Sequence, residues 1–369
     1  MRIVVFEPWD PAPDPPPFGE SRLVADIELA LRSCRHEVTR VAGRSAASSA
    51  TLADEVVRLV AACQSEARPD IWISCRVSNE SVDGLGPAVS AALGIPYVLV
   101  QPRAGDDSGG AIRDACAGAD GIVIFSSGRA GSIARYLTER PERLVTLPPF
   151  VNMRRLAGEM RKQTNHRVMW ATKLRLSREI PWIIAAGPMT ERHLASFQTI
   201  ARAMSPLSNL QWNLVVAGSG SQSEAVADLF RHLPRARYRQ VPMASGDELF
   251  ALLLAGDLFL WPSVDEDYAI TALEAQAAGL AVVAAKSAGM HDVVSEQTGM
   301  LVKTGNIPSI SNAVSFLLRH PEFRRSYSQR GPVWVAKNFD LGAVARKLDA
   351  TLRRIQEMHG ATAARAAAP

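Results

Sequence analysis

Residues 258–285 read LFLWPSVDEDYAITALEAQAAGLAVVAA, and the fold is decided here. Residues 258–261 are an unbroken apolar run, the pattern of a short strand buried on both faces of a parallel sheet. Pro262 and a polar segment turn the chain out of that strand. Residues 272–278 contain no helix breaker, and Gly279 follows where a helix ends on a left-handed residue. Residues 281–285 are a second apolar run of strand length. Strand, loop, helix and strand in that order form a βαβ unit, which places two parallel strands side by side with the helix on one face. Glu266 and Glu274 flank the loop-to-helix junction with seven residues between them, and Glu274 falls in the first turn of the helix.

The same alternation extends in both directions. Upstream lie strands over 182–186, 212–217 and 238–241 and helices over 192–204, 223–233 and 246–254; downstream lie a strand over 299–302 and a helix over 307–319. The first half repeats the pattern, with strands at 3–6, 37–41, 70–74, 97–100, 121–125 and 144–147. Its helices span 21–33, 51–63, 86–93, 111–117 and 129–137, the first with apolar residues at helical spacing on Leu23, Ile27, Ala30 and Leu31. The alternation lapses after Pro148 and Pro149 through a polar stretch, 154–167, where the spacing predicts an interdomain link. A helix over 339–358 carries an apolar stripe on Leu341, Val344, Leu348, Leu352 and Ile355, and residues 359–369 have too little apolar mass to pack and are expected to be disordered.

The fold class expected is α/β: two doubly wound Rossmann-like domains facing a cleft, residues 1–165 and 166–335, with the last helix packing back on the first domain. At 369 residues, two cores are the default. Ligands of such sheets bind beyond the carboxyl ends of the strands.

Composition narrows the function classes. The chain is 47% hydrophobic and 21% charged with a formal net charge of +4, and it has no lysine- or arginine-rich block, which argues against nucleic acid as a partner. Cys34, Cys63, Cys75 and Cys116 show no C-x-x-C pair and no zinc spacing, so free thiols and no metal are expected. The N-terminal residues MRIVVFEP read as a strand rather than a signal peptide, and the apolar run at 249–261 is interrupted by Asp257 and too short to span a bilayer. The expected location is cytoplasmic, with peripheral contact at the inner membrane face left open.

The two glutamates suit a sugar nucleotide. Such a ligand offers a ribose diol, a charged diphosphate and a hydroxylated ring. A carboxylate at Glu274 can accept both hydrogen bonds of a diol. Backbone N–H groups at Ala269, Ile270 and Thr271 point at a helix N-terminus, where phosphate oxygens are favoured. Glu266 lies one loop earlier, within range of the ring hydroxyls. The plainer reading of each is a solvated acid beside a helix start.

The stretch resembles the glutamate–seven–glutamate signature of retaining glycosyltransferases of the GT-B fold, the "glycosyl transferases group 1" type of family 4. There it commonly runs Pro-Ser-x-x-Glu-Gly-Phe-Gly-x-x-x-x-Glu-Ala. Here Pro262, Ser263, Glu266, Glu274 and Ala275 keep the frame, and Asp267, Tyr268 and Ala269 stand for Gly-Phe-Gly. The resemblance extends to Gly279 with Val282 and Val283, to the segments 288–294 and 298–302, to the turn Gly218-Ser219-Gly220, and to His36-Glu37-Val38 near the start.

The resemblance implies transfer of a sugar from a nucleotide-sugar donor to an acceptor hydroxyl, with retention and without metal or cofactor. The acceptor, whether glycan, lipid or small molecule, stays open. It also implies Glu266 as the catalytic-site acid, and Glu274, Gly218, Gly220, Arg192, Tyr268, Ala269, Ile270 and Thr271 as donor-binding residues. Gly19 and Arg103 would line the ligand side of the first domain. Three positions depart from the family. Pro188 replaces an arginine and His193 a lysine that neutralise the diphosphate, and Gln101-Pro102-Arg103 stands where a histidine is common. These departures motivate an alternative, a non-catalytic or weakly active protein of the same fold that binds a nucleotide or a partner protein. A dinucleotide-dependent enzyme is a third reading, and no G-x-G-x-x-G follows the first strand to support it.

Overall fold

The computed structural model describes residues 1–9, 22–44, 49–65, 68–77, 83–103, 110–243, 245–263 and 269–366. The chain forms two compact units, the first from Met1–Pro13, Leu23–Leu147 and Gly342–Pro369, the second from Asp14–Arg22 and Pro148–Leu341.

In the first unit the strands are β1 (Arg2–Trp9), β2 (Glu37–Arg44), β3 (Ile71–Cys75), β4 (Tyr97–Val100), β5 (Gly121–Ile124) and β6 (Leu144–Thr146). The helices among them are α1 (Arg22–Ser33), α2 (Ser49–Ser65), α3 (Gly86–Leu93), α4 (Gly110–Gly118) and α5 (Ser127–Ala134). All pairings are parallel, in the order β2-β1-β3-β4-β5-β6. That is the flavodoxin-type order extended by one strand, a doubly wound parallel sheet as expected. Central strands β3, β4 and β5 are buried along their whole length, whereas β6 at the edge is not, which explains their continuous apolar runs. Phe6 and Trp72 pack in the core of this unit, their ring centres 5.8 Å apart. Asp83 caps α3, accepting from the N–H groups of Leu85 at 3.0 Å and Gly86 at 2.7 Å and from the Tyr97 hydroxyl at 2.9 Å.

In the second unit the helices α6 (Met153–Met160) and α7 (Gln163–Leu174) precede β7 (Trp182–Ala186). Then follow α8 (Glu191–Met204), β8 (Asn213–Ala217), α9 (Ser223–Leu229), β9 (Tyr238–Val241), α10 (Gly246–Leu253) and β10 (Leu258–Trp261). After them come α11 (Ile270–Ala277), β11 (Ala281–Ala285), α12 (Ala288–Val293), β12 (Gly299–Val302), α13 (Ile307–Arg319) and α14 (Pro321–Asn338). The parallel sheet runs β12-β11-β10-β7-β8-β9, the Rossmann order, with its switch point between β7 and β10.

Two domain expectations need correction. The units divide at 147/148 rather than 165/166, because α6 and α7 pack with the second. Arg167 on α7 donates to the Ala255 carbonyl and, at 3.0 Å, to Asp257, and its guanidinium lies 4.5 Å from the centre of the Trp182 ring. The closing helix α15 (Leu341–Ala366) returns to the first unit and runs beyond residue 358. The stretch expected to be disordered is therefore helical through Ala366: alanine-rich sequence extends a helix that is already nucleated at little cost. All four cysteines are free, Cys75 and Cys116 being buried.

Candidate functional site

The βαβ unit quoted first is present, with Leu258 of β10 paired to both Ile183 of β7 and Ala281 of β11. Its helix, α11, is enclosed. Seven of its residues are buried and Thr271 is half-buried. Gly331 of α14 lets that helix approach so closely that a Cβ there would sit 2.6 Å from the Gln276 carbonyl oxygen. The Gln276 side chain donates to the Ala272 and Val293 carbonyls at 3.2 Å. Gly279 follows with φ +84°, and its N–H bonds the Gln276 carbonyl at 3.0 Å, the expected helix end.

Glu274 is thus an acid in an apolar surrounding, with 1% of its side chain exposed, and such a group requires a partner. The partner is Arg22, which by its contacts belongs to the second unit. Its Nη1 donates to Oε2 at 2.8 Å and its Nη2 to Oε1 at 2.6 Å, a two-pronged, charge-assisted pair. Gly246 at the start of α10 lies beside the guanidinium, a Cβ there standing 3.4 Å from Nη1 at ordinary contact distance.

Sequence reading missed Arg22. The signal available was indirect. A carboxylate in the helix ITALEAQA must be neutralised, but nothing in a single sequence indicates a partner at so great a separation.

Ala269 precedes α11 in the left-handed region, φ +43° and ψ 28°. Ile270 and Ala269 are buried at 5% and 1% exposure. The first N–H groups of a helix have no partner within it, so those at this terminus face outward along the axis.

Gly218 and Gly220 end β8 beside the loop that follows β7. A Cβ on Gly218 would stand 2.1 Å from the Gly187 carbonyl oxygen, and one on Gly220 2.3 Å from that of Met189. The Gly218 N–H goes to the Val241 carbonyl at 3.0 Å, and the Met189 N–H to Ser219 O at 3.0 Å. These glycines therefore serve close backbone packing, and the Gly218 amide is used inside the protein. Gly187 is crowded likewise, since a Cβ would meet the Trp261 indole at 2.1 Å.

Arg192 is exposed in the first turn of α8. His193, at the family's lysine position, is buried, and its Nδ1 lies 2.9 Å from the Thr190 hydroxyl oxygen. Arg103 is in the first unit, its N–H bonded to the Val77 carbonyl at 2.8 Å. Glu266, Tyr268 and Gly19 lie outside the described residues. The structure therefore brings Glu274, Ala269, Ile270 and Thr271 together at one helix start, and Gly218 and Gly220 together in the turn after β8. Among the described residues, no group of three or more His, Cys, Asp or Glu could hold a metal ion, and no helix is long and apolar enough to cross a membrane.

Residues 180–320 match the family model described as Glycosyl transferases group 1. A D-inositol 3-phosphate glycosyltransferase of Corynebacterium glutamicum is 30% identical over 141 residues, which is 37% of this chain and 34% of that protein. The chain spans half or less of the length of the curated relatives it matches first.

Among solved structures, sucrose-phosphate synthase of Thermosynechococcus elongatus superposes with a TM-score of 0.73 at 16% identity, covering 96% of this chain and 99% of that one. HepE of Anabaena, solved in complex with UDP-glucose, gives 0.70 at 15% identity, covering 96% and 100%. Two parallel sheets with flanking helices in two units are the GT-B fold of glycosyltransferases. The chain has the GT-B fold of these structures, and its residues 180–320 match the model of the group 1 glycosyl transferases.

Proposed function

We propose that this chain transfers a sugar from a nucleotide-sugar donor to an acceptor hydroxyl, with retention of configuration and without a metal. The observation that carries the reading is Glu274: a buried carboxylate in the second turn of α11, one turn later than the sequence suggested because the helix starts at Ile270, beside the switch point of a Rossmann-ordered sheet. Glu274 would accept the ribose diol. The N–H groups of residues 269–271 and the Arg192 side chain would hold the diphosphate, and Glu266 the hydroxyls of the transferred ring. In the reaction the acceptor oxygen bonds the anomeric carbon and the bond to the diphosphate oxygen breaks. The acceptor proton leaves with the nucleoside diphosphate. Positive groups and helix N–H groups stabilise the charge that develops on that leaving group. The complex of HepE with UDP-glucose supports a nucleotide-sugar donor and makes uridine the base to try first. The site of action in this reading is the cytoplasm.

His193 favours a second reading, a protein of this fold that binds a nucleotide or a partner without transfer. Its imidazole is turned into Thr190 where the family places a cation. One experiment separates the two. Thermal stability is measured with UDP-, GDP-, ADP- and TDP-sugars for the wild type and Glu274→Gln, and product is then assayed with the donor that stabilises, with and without chelator. Stabilisation lost in Glu274→Gln, with chelator-resistant transfer, supports the first reading. Stabilisation without product supports the second, and no stabilisation by any donor removes the donor site altogether.

A further inference from the structure

We propose that the exposed face of the closing helix, α15, docks this protein on a membrane surface rich in anionic phospholipid. The proposal uses no residue of the donor site and stands or falls independently of it.

Most of the excess charge of the chain sits in one place. Five cations of α15, Arg346, Lys347, Arg353, Arg354 and Arg365, stand against two acids, Asp349 and Glu357. This helix of 26 residues therefore has a net charge of +3, while all 369 residues together have +4. All five cations are exposed, and at 100° per residue they fall in one arc of about 120°. The buried residues Val344, Leu348, Leu352 and Ile355 lie on the opposite side, which belongs to the core of the first unit.

Little within the protein balances that arc. Asp349 lies 2.9 Å from His36 and accepts from Arg353 at 2.9 Å, so Glu357 is the one acid that α15 adds to the exposed side. Arg354 reaches only a carbonyl, that of Glu142 at 3.3 Å. Among the described residues, the side chains of Arg346, Lys347 and Arg365 make no hydrogen bond or ion pair. Arg346 and Lys347 recur two turns later as Arg353 and Arg354, like charges stacked on one side. An anionic surface relieves that repulsion.

The shape of the arc favours a bilayer. From Arg346 to Arg365 the cations run about 28 Å along the axis, and a straight helix meets a flat sheet of headgroups over that whole length. Clustered Lys and Arg on an amphipathic helix are attracted to anionic lipid, each contributing separately. Single-stranded nucleic acid needs aromatic rings for its bases to stack on, and residues 341–366 contain no Phe, Tyr or Trp. Met358 is the one large apolar side chain exposed on the described part of α15, so attachment is electrostatic and sensitive to salt.

Co-sedimentation of the full chain with vesicles tests this, using phosphatidylcholine alone and equal parts of phosphatidylcholine and phosphatidylglycerol. The wild type binds the mixed vesicles and not the neutral ones, and binding is lost at about 0.5 M salt, where screening acts within roughly 4 Å. Replacing Arg346, Lys347 and Arg354 together by Gln lowers the partition coefficient tenfold or more. Lys347→Gln and Arg365→Gln, made singly, lower it about fivefold each, and they carry the test if the triple variant does not fold. The control removes equal charge from exposed positions of the second unit, Arg202→Gln, Lys286→Gln and Lys303→Gln together, and keeps wild-type binding.

Equal losses in the two triple variants would reduce the effect to net charge and overturn the proposal. So would wild-type binding to neutral vesicles as strong as to anionic ones, or no binding to either. A wild type that leaves the vesicles but retains duplex DNA in the same buffer would assign the face to nucleic acid instead.

Discussion

Ala269 holds φ at +43° ahead of α11, a conformation in which its methyl group crowds the backbone. The family pattern that this stretch resembles has glycine at the matching position, and glycine adopts this region without that penalty. Ala269→Gly is therefore expected to stabilise the second unit by about 1 kcal/mol, a rise of roughly 2–4 °C in its unfolding temperature. An unchanged or lower temperature would mean that contacts of the methyl group outweigh the strain. Helices α10 and α13 begin on conventional caps. Ser245 accepts from the N–H of Glu248, and Asn306 from that of Ser309 at 3.0 Å. The helix start with the unusual backbone is the one that carries Glu274.

At the level of elements, the loops after β7 and β8 are pressed together backbone to backbone. Gly218→Ala would drive a methyl group into the Gly187 carbonyl, 2.1 Å away, and backbone cannot yield as a flexible side chain can. The expected loss is about 3 kcal/mol, read from the urea midpoint. Gly305→Ala is the control: it has a positive φ of +74° but no atom within 4 Å of its would-be Cβ, and it should lose only about 1 kcal/mol. Equal losses would locate the effect in φ alone.

Elements of this kind were the most legible from sequence. The bounds of β4, β7, β10 and β11 match the apolar runs residue for residue, because a strand buried on both faces must be apolar throughout. Helices without a stripe escaped. The polar residues 154–167 read as a link, yet they fall in α6 and α7, held by Arg167 and by the bond of Arg239 to the Leu174 carbonyl at 2.7 Å. Residues 321–338 escaped also, with Pro321 at the first turn and Pro332 inside the helix, although α14 packs against α11 through Gly331. Glu274 was found because its residue type and spacing are local. Arg22 was not, since its meaning depends on a contact that only the fold creates.

At the scale of the whole molecule, α15 is tied to the opening strands of the first unit. His36 Nε2 lies 2.9 Å from Asp349 Oδ1, which also accepts from Arg353 at 2.9 Å, and the Met1 ammonium approaches His36 Nδ1 at 3.3 Å. An ammonium can only donate, so Nδ1 accepts and Nε2 carries the hydrogen given to Asp349. Burial, then the Met1 and Arg353 charges, hold the His36 pKa below its ordinary 6.5 against the opposing pull of Asp349. The unfolded chain therefore takes the proton first as pH falls. The contribution of neutral His36 is intact above about 6.5 and is lost as pH drops toward its lowered value. Stability of the wild type should fall between about pH 7.5 and 5.5 by more than that of His36→Gln, as followed by urea unfolding. Equal slopes would show that His36 does not titrate differently in the two states.

Gly121 lies at the start of β5 with no side chain of its own, and the space is filled by Ile355, whose Cδ1 would stand 2.3 Å from a Cβ placed there. The sheet of the first unit is thus completed by a residue made long after it. As the chain leaves the ribosome, every strand of the second unit, up to Val302, is available before Ile355 exists. The order of completion in synthesis is accordingly the reverse of the order in sequence. The later-numbered unit can close first, and the earlier one waits with a bare apolar face at β5, which is where a nascent-chain chaperone would find its substrate.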